Sequence, residues 1–262
     1  MTIEDDVLPA RRAADRGWRF DLVMPLFLRP RAALAQIVAQ NRPLWRTPIV
    51  LLILATAGRA LLVGSINAAA KAGGEPVLPS GFEFYTPEQQ AQFMQAATAS
   101  NNVTFNYILP TLGAVAGVVI VWLLISWLLH LILTLLGGRG TSQQAINVVA
   151  WSSLPLVLRA LVQLIAILVT DQVIASPGLS GFAPAGEGSL HALLASALSQ
   201  IDLYFIWQLI LIAIGARLSS QLRWGRVVFA LALTVFIVMA LRALPSVILA
   251  RFGDLTVIQP FL

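Results

Sequence analysis

Five stretches of this chain, roughly 45–66, 108–136, 147–169, 201–216 and 226–249, are apolar over enough residues to cross a lipid bilayer. A hydrocarbon core about 30 Å thick takes about 20 helical residues. Backbone in hydrocarbon must satisfy its own hydrogen bonds, and a helix does so within one segment. The expected fold class is all-α: a polytopic membrane protein with a five-helix transmembrane bundle. Composition agrees. Hydrophobic residues make up 58% of the chain and charged residues 11%, whereas a soluble domain carries about 25% charged residues. Too little charge remains to coat a water-facing domain, so no separate soluble domain is expected.

Charge sets the orientation. Seventeen residues are Lys or Arg. With the N-terminus placed inside, twelve fall on inner segments and their flanks: Arg11, Arg12, Arg16, Arg19, Arg29, Arg31, Arg42, Arg46, Arg139, Arg217, Arg223 and Arg226. The outer segments hold only Lys71 and Arg251, and Arg59, Arg159 and Arg242 lie within spans. Positive charge collects on the cytoplasmic side of membrane proteins. The N-terminus is therefore expected in the cytoplasm and the C-terminus outside. The chain divides accordingly into a cytosolic segment 1–44, a transmembrane domain 45–250 and an external tail 251–262. The net charge of +5 is dispersed along membrane-flanking segments, so it reads as topogenic charge and no nucleic-acid partner is expected.

The chemistry that remains is limited. Cysteine is absent, which excludes disulfides, thiolate catalysis and Cys-ligated zinc. His130 and His191 are far apart and fall on opposite membrane faces in the expected topology. No HExxH motif occurs, no acidic pair sits within a span, and no Ser occupies a nucleophile elbow. No enzymatic activity, metal or cofactor is expected. Residues 1–44 lack the apolar core and small-residue cleavage site of a signal peptide, so the first span is expected to act as an uncleaved anchor.

Residues 1–19 are charged and expected to be mobile. From Phe20 the chain becomes apolar, and Pro30 can start a helix through about Gln40 with Leu34, Ile37 and Val38 on one face. Arg29, Arg31, Arg42 and Arg46 flank this helix together with Trp18 and Trp45. One reading is an interfacial amphipathic helix whose four Arg meet anionic lipid on the inner leaflet. The other is a juxtamembrane helix packed on the bundle. Gln89–Ala99 can form a short helix in the outer loop 67–106. Gly113 and Gly117 make a small-xxx-small pair that permits close helix contact. Gly137 and Gly138 suit a helix C-terminal cap, and Thr141 or Ser142 can N-cap the next helix. The glycine run 137–140 is no phosphate loop, because it lacks the Gly-Lys-Ser/Thr ending.

Orientation does not account for Arg59, Arg159 and Arg242. An Arg at mid-bilayer costs about 2.5–3.5 kcal/mol on insertion scales. Counting residues places Arg59 and Arg242 in the outer half and Arg159 near the middle, with Asp202 and Asp171 as candidate partners. Pro155 and Pro245 remove helical donors from the carbonyls of Trp151 and Leu241, which a guanidinium can use. The candidate intramembrane site is Arg59, Arg159, Arg242, Asp202, Pro155 and Pro245. Either it forms a polar cavity open to the outside that accepts an anionic headgroup or solute, or the Arg residues snorkel and pair to fix helix register.

Several short motifs together resemble the Yip family of five-span membrane proteins, in its bacterial branch. They are Leu28-Arg29-Pro30-Arg31 before the first span and Leu136-Gly137-Gly138-Arg139-Gly140-Thr141 between the second and third. Leu154-Pro155 in the third span, with Asp202, Trp207 and Ile214-Gly215 in the fourth, completes the set. The match spans about residues 25–250. The resemblance implies an all-helical bundle with a cytosolic N-terminus. It also implies Rab-type GTPase binding for eukaryotic members, but no GTPase-binding motif is present here and that partner is not carried over. The lack of Cys and the Arg preference point to the plasma membrane of a prokaryote.

The function expected first is a non-enzymatic scaffold or accessory subunit of a membrane complex, binding other membrane proteins or itself. A small-solute or lipid transporter using the Arg-lined region is the alternative.

Overall fold

The computed structural model describes residues 18–40, 42–73, 81–99, 102–174, 178–182, 194 and 198–255; of 72–73, 96–99, 243 and 245–255 it describes the backbone alone. The charged segment up to residue 17, His191 and the chain end from 256 lie outside the described residues. Every regular element among the described residues is helical. Five helices are long and apolar enough to cross a membrane: Arg46–Lys71, Thr104–Leu135, Ser142–Thr170, Leu203–Ser220 and Trp224–Arg242. The chain is a multi-pass membrane protein.

A 3₁₀ turn at Phe20–Leu22 leads into α1 (Val23–Leu28) and α2 (Pro30–Ala39). The first span is α3 (Arg46–Gly73). Then follow α4 (Pro87–Ala99), a π-helical segment Thr104–Ile108, and α5 (Leu109–Leu135). The third span is broken into α6 (Ser142–Ser152) and α7 (Leu154–Thr170), and α8 (Leu203–Ser220) and α9 (Trp224–Leu255) complete the chain.

Local chemistry explains the boundaries. Pro30 occupies the first turn of α2, where its missing N–H is not needed. After α5, the Gly138 N–H bonds to the Leu133 carbonyl at 2.8 Å and the Gly137 N–H to Thr134 at 2.9 Å. Gly137 takes φ +89°, and the pair of bonds is a Schellman cap. Thr141 then opens α6 with a capping box shared with Gln144. The third span was expected as one helix from 147. It instead begins at Ser142, because that box caps it there, and breaks at Ser153. Pro155 has no N–H to offer Trp151 and its ring would crowd that carbonyl, so a new helix starts with Pro155 in its first turn.

Two compact units divide the chain. The first joins residues through Leu52 with Ile120–Leu156 and the region from Ser176; the second joins Ile53–Val119 with Val157–Ala175.

In the first unit α2 packs on both α6 and α8, and α8 packs on α6 and α9. Leu22, Leu26, Ala33, Leu34 and Ile37 are buried there with Val148, Trp151, Leu211 and Ile212. Of the two readings of the N-terminal helix, the packed one describes this buried face. Yet Phe20, Met24 and Leu28, four residues apart, remain exposed along the other side. Gly215 lets α8 approach α6: a Cβ there would sit 2.4 Å from a Val148 methyl. Gly215→Leu is expected to destabilise the protein by at least the 1–3 kcal/mol typical of an overpacked site. Val148→Ala should recover part of the loss, and a thermal-unfolding midpoint in detergent unchanged by Gly215→Leu would refute the tight contact.

The second unit has a smaller core, with Ile167, Ala160 and Ala55 buried. Phe82 packs against Tyr85 and Phe93 beside α4. Thr86 and Gln89 form a reciprocal cap for that helix, with bonds of 3.0 and 3.3 Å. No described atom lies within 4 Å of a Cβ placed on Gly113 or Gly117. The expected close contact at that glycine pair is not made among the described residues, because no described helix packs on that face.

Candidate functional site

The polar side chains of α6 gather on the connection between α2 and α3. That connection leaves the helical hydrogen-bond pattern after Ala39, so its backbone needs other partners. Asn147, fully buried, supplies most of them. Its Oδ1 accepts the Leu44 N–H at 2.9 Å and a Gln143 side-chain N–H at 3.1 Å. Its Nδ2 donates to the Arg42 carbonyl at 2.8 Å. One turn along, the Trp151 indole N–H donates to the Leu44 carbonyl at 3.1 Å. At the other end Gln144 donates to the Val38 carbonyl at 2.9 Å while completing its own capping box. The Arg19 N–H bonds to the Thr47 hydroxyl at 2.8 Å. Trp45 stacks at a tilt on Trp122, 5.1 Å between centroids, and the Trp122 indole N–H donates to the Ile146 carbonyl. The N-terminal helices are thus clamped to α6.

The clamp holds a basic surface. Arg29, Arg31 and Arg46 are exposed, whereas Arg42 is half-buried and donates twice to the Gln40 side-chain oxygen. Arg19 reaches the same oxygen and forms an ion pair with Asp21 at 2.8 Å. Those hydrogen bonds from Arg19 hold the Asp21 carboxyl below its ordinary range. Further along the chain, Arg217 lies over the Trp224 ring at 4.9 Å, and Arg226 donates to the Leu136 carbonyl. Beside this charge stand the exposed Trp18 and Phe20, stacked at 6.0 Å, and the Met24–Leu28 edge.

The predicted intramembrane residues separate into two groups. Arg59 and Arg159 belong to the second unit and lie within electrostatic range of each other. Both are half-buried, and the Nε of Arg59 is buried without a hydrogen-bond partner. Asp202 and Arg242 belong to the first unit. Asp202 is the N-cap of α8, with its Oδ1 accepting the Phe205 N–H at 2.9 Å, and Arg242 is exposed. Pro155 is buried at the α6–α7 break, and Pro245 lies within α9 where side chains are not described. Asn147, Gln143 and Gln144 were not anticipated. Their signal was present: Gln143 and Gln144 stand four and three residues before Asn147, and Asn147 four before Trp151, so they share one helix face at the start of an apolar run. Among the described residues no group of three or more His, Asp or Glu is placed to hold a metal ion.

The model of the Yip1 domain matches residues 24–244. No curated protein and no solved structure matches the chain.

Proposed function

We infer a role for this chain from the fact that it belongs to the Yip1 domain family and from its clamped basic surface: it is a non-enzymatic scaffold or accessory subunit of a membrane complex. The observation that carries this reading is the set of bonds from α6 to the connection 38–47. The clamp supports a fixed platform on which Arg29, Arg31 and Arg46 can meet anionic lipid headgroups or an acidic partner segment. Affinity purification of the full chain in mild detergent tests this. A stoichiometric membrane-protein partner, lost on exchanging the three Arg for Glu, is the expected result. A chain that purifies alone in both forms overturns it.

A small-solute or lipid transporter is the second reading, favoured by the buried, unpartnered Arg59 Nε. Counterflow of labelled solute or lipid in proteoliposomes, abolished by Arg59→Leu, would support it over the scaffold.

The proposed setting is a prokaryotic plasma membrane, with the N-terminus cytoplasmic and the C-terminus external. The cysteine-free chain allows labelling from one side without background. Ser142 and Arg223 are exposed and suit the inner positions, while Ser220 is buried and does not. Glu83 and Phe182, both exposed, suit the outer ones. Single cysteines at 83 and 182 should react with an impermeant maleimide on intact cells, and those at 142 and 223 should not. The opposite pattern reverses the orientation.

A further inference from the structure

Within the second unit, α3, the π-helical segment and the start of α5 border an open cleft of about 250 Å³. Arg59, Val63, Asn67 and Lys71 line its α3 side, spaced at steps of four residues and therefore on one face. Asn106 of the π-helical segment lines the other side. No acidic residue is among the described residues lining the cleft.

The geometry is particular. A Cβ at Gly64 would lie 2.4 Å from the backbone oxygen of Asn106, so only glycine lets α3 come this close to the π-helical turn. That approach brings Asn106, itself 5% exposed, against Lys71, whose Nζ donates to the Asn106 Oδ1 at 3.1 Å. The contact uses one of three ammonium donors. On the same lining the Arg59 Nε is buried and unbonded. A buried donor without a partner is unfavourable, and more so in a membrane. The positive charge of Arg159 adds to the field around Arg59.

We propose that this cleft is a binding site for a phosphate-type anion, held by Arg59 and Lys71 and oriented by Asn67 and Asn106. A phosphate group in the cleft balances the two cations, Arg59 and Lys71, that no acidic residue of the described lining offsets. Such a group can arrive on a lipid headgroup or as free phosphate. The proposal is independent of the scaffold reading, because neither a partner protein nor the basic platform enters it.

The test uses the full chain in detergent, with two probes: phosphatidylglycerol, counted against phosphatidylcholine by native mass spectrometry, and inorganic phosphate, followed by its effect on the thermal midpoint. The wild-type chain is expected to retain phosphatidylglycerol preferentially or to be stabilised by phosphate. Retention without a phosphate response identifies a lipid headgroup, and a phosphate response alone identifies the free anion. Arg59→Gln and Lys71→Gln should each weaken the response about tenfold, on the scale of a lost charge-assisted bond, while Arg59→Lys keeps much of it. Size-exclusion profiles of each variant establish that it is folded; Asn67→Asp, which adds repelling charge, serves if a glutamine variant is not. Equal responses from wild type and folded variants, or no response from the wild type, overturn the proposal.

Discussion

Trp151→Ala is expected to destabilise the protein by about 3–5 kcal/mol, the range for deleting a large buried aromatic side chain. Trp151 is fully buried and is the largest such side chain described. Its removal leaves a cavity and also orphans the Leu44 carbonyl, which accepts the indole N–H at 3.1 Å. The two contributions are separable. Trp151→Phe keeps a six-membered ring but removes the donor and the rest of the indole, so about 1–3 kcal/mol is expected from the unpaired carbonyl and the residual gap. Thermal unfolding in detergent, followed by size-exclusion survival, should place the midpoints in the order wild type, Trp151→Phe, Trp151→Ala. Equal midpoints for all three would mean that the ring is not the keystone of the clamp.

Asn147→Leu is the second large effect, at about 2–5 kcal/mol. Leucine fills similar space but leaves the Leu44 N–H and the Arg42 carbonyl without their side-chain partners, both more than 100 residues away in sequence. An unmade bond at a buried group costs about 1–3 kcal/mol. The damage should also be local. Hydrogen exchange of the Leu44 amide is expected to accelerate in Asn147→Leu far more than exchange within α8. Unchanged protection at Leu44 would contradict the clamp whatever happened to global stability.

Much of the fold was legible in one dimension. All five spans were found, with ends displaced by one to seven residues, because hydropathy summed over 20 residues is a local property. The caps were legible for the same reason. Thr141 and Gln144 stand three apart, and Gly137-Gly138 follows an apolar run, so both signals lie inside one or two turns. The break at Pro155 was half legible. The missing N–H is visible in the sequence and implies a freed carbonyl within one helix, whereas the structure has two helices.

The candidate sites were less legible. Arg59, Arg159 and Arg242 stood out because charge in an apolar run is conspicuous. Lys71 and Asn106 did not, since both fall at the polar margin of their spans where charge and amides are ordinary. Nothing local links them, although they are bonded across 35 residues. The glycines show the same limit. Gly113 and Gly117 carry a familiar spacing and lie open, whereas a Cβ placed on Gly64 or Gly215 would lie 2.4 Å from the Asn106 carbonyl oxygen or a Val148 methyl.

By itself the sequence determined that the chain is a helical, five-span membrane protein, with most of its basic residues gathered at the ends of the spans or beyond them. It could do so because each of these properties is a sum over neighbours along the chain. The tertiary structure decided which polar groups meet: Asn147 with the α2–α3 connection, and Arg59, Lys71 and Asn106 around one cleft. Apolar spans are nearly uniform around their circumference, and lipid tails are as apolar as leucine. Hydrophobic pattern therefore leaves helix rotation and register open, and close packing at Gly64 and Gly215 with buried hydrogen bonds settles them.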